Sequence, residues 1–267
     1  MQTQPKISII SPSLNQGSFI EETILSVLSQ EYENLEYIVV DGLSTDKTLS
    51  ILRKYSDNLT WISEKDNGQT NAINKGIRLA TGEIIGYLNS DDILLPNALK
   101  SVAQAFRENP SAMWITGKSL IIDEEGKSIR KLITKYKNLY LKTHSFKSLL
   151  VADYISQPAT FWKKEIISDV GYLDESLDYV MDYEYWLRIY QNFKPVFINQ
   201  YLASFRIHHA SKTTSGSYTK KYIDEERKII VQYSISKFWL LLNKSHRFLT
   251  NFVYSILNII FLKNKKV

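Results

Sequence analysis

The chain has no cysteine. That excludes disulfides, Cys-ligated zinc and thiol nucleophiles, and it fits a reducing compartment. The start, "MQTQPKISII", lacks the basic opening, long apolar region and small-residue cleavage site of a signal peptide. No apolar run spans a bilayer. The longest near the C-terminus, "NFVYSILNIIFL", has 12 residues, against roughly 20 for a transmembrane helix. There is no G-x-G-x-x-G after the first strand and no G-x-x-x-x-G-K-[ST] anywhere, so neither a dinucleotide fingerprint nor a P-loop is supported. Repeats and low-complexity segments are also missing.

What is present is a chain of 267 residues, 44% hydrophobic, with a formal net charge of +5. A sizeable core is possible and global disorder is not expected. Lys and Arg are not gathered into one patch within the body of the chain, which argues against nucleic acid and for an anionic ligand or a membrane surface. From Lys237 onward there are basic residues but no Asp or Glu, interleaved with "FWLLL". Such a helix suits an anionic lipid surface, and equally its own domain or a partner chain. The expected location is the cytoplasm, with peripheral contact at the inner face of the membrane.

Short apolar runs alternate with helical patterns over residues 1 to about 100. "KISIISPSL", "LEYIVVDG", "LTWISE" and "EIIGYLN" read as strands, with helices between them, so βαβ units and a mostly parallel sheet are expected. Two strands around an Asp-Glu-Glu-Gly turn, a further strand, a helix at "MDYEYWLRIYQN" and a final strand ending in "SFRIHH" follow. The stretch "SKTTSGS" divides an α/β domain, 1–215, from a helical, basic, amphipathic extension, 216–267. Open parallel sheets bind ligands at the carboxyl ends of their strands. Polar or acidic groups fall at four such ends: Pro12, Ser13 and Asn15; Asp41; Asp66; and Asn89-Ser90-Asp91-Asp92. Each alone is ordinary turn chemistry. Together they suit ribose hydroxyls, a base N–H, or a divalent metal bridging phosphates.

Four segments carry a resemblance: "ISIISPSLNQGSFIEETILSVLSQ", "EYIVVDGLSTDKT", "SEKDNGQTNAINKG" and "ATGEIIGYLNSDD". In this order they resemble glycosyltransferase family 2, the nucleotide-sugar-dependent enzymes of the GT-A fold, over roughly residues 5–213. The resemblance implies a Rossmann-like αβα sandwich, a UDP- or dTDP-sugar donor, Mn²⁺ or Mg²⁺, and inversion at the anomeric carbon. It also implies a saccharide or lipid-linked saccharide acceptor, in bacterial polysaccharide synthesis. Carried over, Pro12, Ser13, Asn15, Asp41, Asp66, Asn74, Asp91 and Arg206 fall on the donor side. Asp92 and His208 would hold the metal. Asp182 matches the second acid of an "ED" motif and would take the acceptor's proton. Gln157 and Glu184 fall on the acceptor side, although residues two apart on a helix diverge by about 200°. Three positions depart from the family pattern: Gly42 and Asn89 each stand where an acid is common, and Met181 replaces the first acid of "ED". Two other readings stay open. A sugar nucleotidyltransferase would need a basic, Gly-rich loop after the first strand, and Ser11–Gly17 has one Gly and no base. A non-catalytic saccharide-binding or assembly component would account for the three departures.

Overall fold

The computed structural model describes residues 4–209, 211–212, 218–234 and 236–264, with side chains to residue 250 except 218 and 219. The continuous apolar runs become buried strands. β1 (Ile7–Ser13) is buried at every position. It pairs in parallel with β2 (Leu35–Asp41) on one side and β4 (Ile84–Tyr87) on the other, and β2 pairs in parallel with β3 (Thr60–Ser63). A strand covered on both faces has no polar side to show, which is why these stretches do not alternate. Helices α1 (Ile20–Leu28), α2 (Thr48–Lys54) and α3 (Gln69–Leu79) make the crossovers.

The described sheet has nine strands in the order β3-β2-β1-β4-β8-β6-β9-β5, with β7 against β6. The 3-2-1-4 half is wholly parallel, as the βαβ alternation requires. β8 (Thr160–Lys163) enters antiparallel between β4 and β6 (Trp114–Ile122). β9 (Val196–Arg206) runs parallel to β6 and antiparallel to the two-residue β5 (Ile93–Leu94). The short β7 (Ser128–Ile129) closes the Asp-Glu-Glu-Gly hairpin with β6.

Each face of the sheet carries its own core. On one lie α1, α2 and α4 (Ala98–Glu108), through Ile20, Ile24, Leu52, Leu99 and Val102. On the other lie α3, α6 (Phe146–Val151) and α8 (Met181–Asn192), through Ile73, Ile77, Leu149, Leu150 and Leu187. Here Trp114 and Trp186 stack with centroids 5.6 Å apart.

Two helices differ from the sequence pattern. The helix expected after β8 shortens to a 3₁₀ turn and a four-residue α7 (Ile167–Val170). Residues Lys131–Lys142, for which no element was anticipated, form α5. In it only Thr134 and Leu141 are buried, while Leu132 and Leu139 face outward. The stripe Leu132, Ile133, Tyr136, Leu139 and Tyr140 recurs at helical spacing, a signal that the sequence reading passed over.

Most of the "SKTTSGS" boundary, 213–217, lies outside the described residues. The helices beyond it, α9 (Tyr218–Tyr233) and α10 (Lys237–Asn264), pack onto the sheet domain. Ile229 and Ile230 are buried in the α3/α8 core. The Asn243 Nδ2 donates to the carbonyl of Val151 at 3.2 Å and to Glu226 Oε1 at 3.1 Å, and Arg247 ion-pairs with Glu226. No described helix is long and apolar enough to cross a membrane.

Candidate active site

A cleft of about 1020 Å³ opens over the carboxyl ends of the parallel strands. It runs from Pro12, Ser13, Asp66 and Asp91, past Tyr87, Asn89 and Gln157, to Asp153, Asp182 and the inner faces of α5, α9 and α10. One continuous space thus joins two of the acidic strand ends to the start of α8.

Of the residues expected on the donor side, Pro12, Ser13, Asp66 and Asp91 line this cleft. The Ser90 hydroxyl donates to the Pro12 carbonyl at 2.6 Å, tying the ends of β1 and β4 together. Asp66 is placed by Gly42. A Cβ at residue 42 would come within 2.4 Å of Asp66 Oδ2, so the glycine that replaces an acid leaves room for a carboxylate from the next strand end. Asp66 Oδ1 in turn accepts the Gly68 N–H at 2.9 Å, where Gly68 takes φ +107.

Four expected donor contacts are spent internally. The Asp41 carboxylate is fully buried and accepts from the Ser44 N–H at 2.9 Å, from its hydroxyl at 2.5 Å and from the Ser63 hydroxyl at 2.7 Å. Asn15, at φ +53, accepts the Thr45 N–H at 2.8 Å and fastens the first loop to the second. Asn74 is buried and pairs with both backbone groups of Leu173 and with Glu175. Arg206 has a side chain only 1% exposed. It donates to the carbonyls of Asp91, Asp123 and Glu124 and to Glu22. In this geometry Asn74 and Arg206 are clamps on the fold, because their donors already point at protein acceptors.

The two adjacent aspartates separate. Asp92 is fully buried. It accepts the Arg206 N–H at 2.8 Å and the Asn89 amide at 3.3 Å. Burial, and then the neighbouring Asp91 carboxylate, push its pKa well above the ordinary range. Asp91 lines the cleft, and its Oδ2 lies 3.0 Å from His208 Nε2. The geometry therefore turns Asp91, not Asp92, toward a ligand. Among the described residues no cluster of three or more His, Cys, Asp or Glu surrounds a metal position.

Asn89 now has a reason. Its Nδ2 donates to Asp92 Oδ2 and to Gln157 Oε1, both at 3.3 Å, and its Oδ1 accepts from Gln69 at 2.8 Å. A carboxylate could not make the first two bonds and would face Asp92. Asn89→Asp should cost about 1–3 kcal/mol of stability at pH 7. The cost should shrink toward pH 5 as the added acid takes a proton. Urea unfolding at the two pH values measures it, and equal stability to wild type at pH 7 would refute the account.

On the acceptor side, Gln157 lines the cleft and donates to the Tyr87 carbonyl. Glu184 does not reach the cleft. It is 3% exposed, pairs with Arg188 at 2.5 Å and accepts the Tyr233 hydroxyl at 2.6 Å. The helical twist sends the two acids of "MDYEY" apart, and only Asp182 faces the cleft. Asp182 sits in the first turn of α8, where its Oδ1 accepts the Tyr183 N–H at 2.9 Å. Burial raises its pKa. Tyr87 and Asp153 also line the cleft. Sequence reasoning passed over both. The available signal for Asp153 was a single acid in the apolar stretch "LLVADYI".

The Glycosyl transferase family 2 model matches residues 8–171. An uncharacterized glycosyltransferase of Rickettsia typhi is 30% identical over 219 residues, covering 79% of this chain and 67% of the relative. A GalNAc(5)-diNAcBac-PP-undecaprenol beta-1,3-glucosyltransferase of Campylobacter jejuni is 27% identical, covering 82% and 70%. Two solved structures share the fold. The S. aureus TarS 1-349 fragment in complex with UDP superposes with TM-score 0.65 at 20% identity, covering 85% of this chain and 65% of the fragment. Mannosyltransferase PcManGT from Pyrobaculum calidifontis, in complex with GDP-Man and Mn²⁺, gives 0.64 at 17% identity, covering 92% and 74%.

Proposed function

The chain belongs to glycosyltransferase family 2, and from that premise we propose an inverting transferase with a UDP- or dTDP-sugar donor. Its acceptor is a hydroxyl of a saccharide or lipid-linked saccharide in cell-surface polysaccharide synthesis. The observation that carries this reading is the shared cleft: Asp182 opens onto the same space as Pro12, Ser13, Asp66 and Asp91. The Campylobacter relative, named for a diphosphate-linked lipid acceptor, supports the choice of acceptor.

An acceptor hydroxyl is a poor nucleophile until a base takes its proton. Asp182 takes that proton as the oxygen attacks C1, while the bond from C1 to the diphosphate oxygen breaks and its electron pair leaves with the nucleoside diphosphate. One displacement inverts the centre and needs no enzyme nucleophile. Asp182 also lies in the first turn of α8, where the helix dipole favours an anion.

Asp91 and His208 would hold the divalent cation. Asp91 lines the cleft, and its Oδ2 meets His208 Nε2 at 3.0 Å, so the two side chains already converge on one point. Two protein ligands leave the remaining positions to phosphate and water. When bound, Mn²⁺ or Mg²⁺ supplies charge neutralisation at the diphosphate. Asp92 shapes this site from behind.

The outer face of α10 supports peripheral membrane contact. Phe238, Leu241, Phe248 and Leu249 are all exposed and fall within an arc of about 100° at the helical period. Lys237 and Lys244 lie together along one edge of that arc. Apolar side chains edged by lysine suit anionic lipid.

A thermal-shift panel of UDP, dTDP and GDP, with their sugars, tests the donor assignment. One uridine or thymidine ligand should raise the midpoint, and Mn²⁺ should enlarge the rise. Asp91→Asn should abolish the metal increment. No shift with any nucleotide would sink the reading.

A further inference from the structure

Beyond Asp182, the cleft continues into an arm bounded by β4, α5, α8, α9 and α10. Two features there have no structural explanation. Tyr87 is only 3% exposed, yet its hydroxyl has no hydrogen-bond partner among the described residues. The same holds for Asp153 Oδ1, which is shielded from solvent. Buried polar atoms without partners cost stability unless something fills the gap. Both residues line the cleft. Orphaned groups of two kinds, opening on one space beside the proposed base, mark a place where a polar ligand docks.

The charge balance is specific. The titratable groups facing Asp153 are Lys137 from α5, Tyr154 beside it, Asp182 and Tyr183 from α8, Glu226 from α9 and Tyr87 from β4. Glu226 is neutralised by Arg247 of α10 and also accepts from Asn243 and Tyr222. His246, nearby on α10, is kept neutral by burial, which lowers its pKa. That leaves Asp153 and Asp182 facing one cation, Lys137. Two carboxyls and one cation in a poorly solvated space hold one proton most cheaply. Asp182 is the better anion, with a backbone N–H and also the start of a helix behind it. Asp153 has a backbone donor in Ile155 but no helix start, and one of its oxygens is orphaned, so it is the better acid.

We propose that Asp153 is an acceptor-binding residue that stays protonated beside an anionic Asp182, and that its O–H and the Tyr87 hydroxyl hold oxygens of a polyhydroxylated acceptor so that the attacking hydroxyl reaches Asp182. The idea rests on the transferase reading above. The pair then divides its work by environment: one carboxyl takes a proton in the reaction, and the other keeps one to donate a hydrogen bond. Burial, opposed by Lys137 and reinforced by Asp182 and Glu226, pushes Asp153 up to about 7, consistent with that division.

Carboxyl ¹³C NMR on the full chain tests the proton directly. The resonance removed by Asp153→Asn should titrate near neutrality, and in Asp182→Asn it should move to lower pH because the anionic neighbour is gone. Titration of Asp153 in the ordinary carboxylate range would overturn the proposal. The second measurement follows transfer from the UDP- or dTDP-sugar that gives the largest thermal shift to concentrated methyl glycosides of glucose, galactose and N-acetylglucosamine as acceptor probes. Wild-type transfer should fall above about pH 7, as Asp153 loses its proton. Asp153→Asn, whose amide still donates, should hold its rate there, and Asp153→Leu should lose at least about tenfold at every pH. A wild-type profile shared by both Asp153 variants would also overturn it. If no nucleotide-sugar binds or turns over, the transferase reading fails, while the NMR titration still decides the state of Asp153.

Discussion

Asp182→Asn should leave nucleotide binding unchanged and lower sugar transfer by about a hundredfold or more, the scale of lost general-base catalysis. The amide has the carboxylate's shape and can still sit at the start of α8, so the fold and the donor arm should persist. It cannot accept a proton. The effect should appear in kcat with the donor KM held, because the missing interaction belongs to the transition state. Wild-type activity should fall as pH drops through the raised pKa of Asp182, since the protonated acid is no longer a base. Full activity in the Asn variant would remove Asp182 from this role, and a lost thermal shift with nucleotide would show that it holds the donor instead.

The largest expected effect on stability comes from Arg206→Met, about 3–5 kcal/mol. The side chain is 1% exposed. Its guanidinium reaches the carbonyls of Asp91 at 2.7 Å, Asp123 at 3.2 Å and Glu124 at 3.0 Å, and Glu22 at 2.5 Å. Methionine fills similar volume and leaves those carbonyls without donors. Arg206→Lys should recover only part of the loss, because a point charge cannot reach acceptors spread around a planar fork. Urea denaturation gives the difference directly, and a loss below about 1 kcal/mol would show that water replaces the bonds.

Much of the fold was legible in the sequence. Doubly covered strands read as unbroken apolar runs, and their alternation with helices gives the parallel half of the sheet. That Pro12, Ser13, Asp66 and Asp91 meet in one cleft was legible, because strand ends lie together in any such sheet. What stayed hidden has a common cause. Asn74, Arg206, Asp41 and Glu184 carry the chemistry that binds ligands, but each spends it on buried protein groups, and composition does not separate the two uses. Asp91 and Asp92 are neighbours in a turn, so their side chains diverge and only geometry tells which one faces the cleft. Asp153 and Lys137 reach Asp182 from other elements of the chain, and nothing in sequence order says that α5, which brings Lys137, folds over the start of α8.

The Arg206 clamp has a consequence for how the protein is made. Its partners lie at residues 22, 91, 92, 123 and 124, and β5, at 93–94, pairs only with β9, at 203–204. Synthesis runs from the N-terminus, so β1 to β4 can form their parallel ladder while the ribosome is still building the rest. The loop carrying Asp91 is held early by Pro12, Thr23 and Gln69, but its bonds to Arg206 must wait for more than one hundred further residues. Long-range pairing of this kind is slow and leaves edges exposed in the meantime. The nascent chain therefore carries an unsealed edge beside β4 until β8, β6 and β9 have been made.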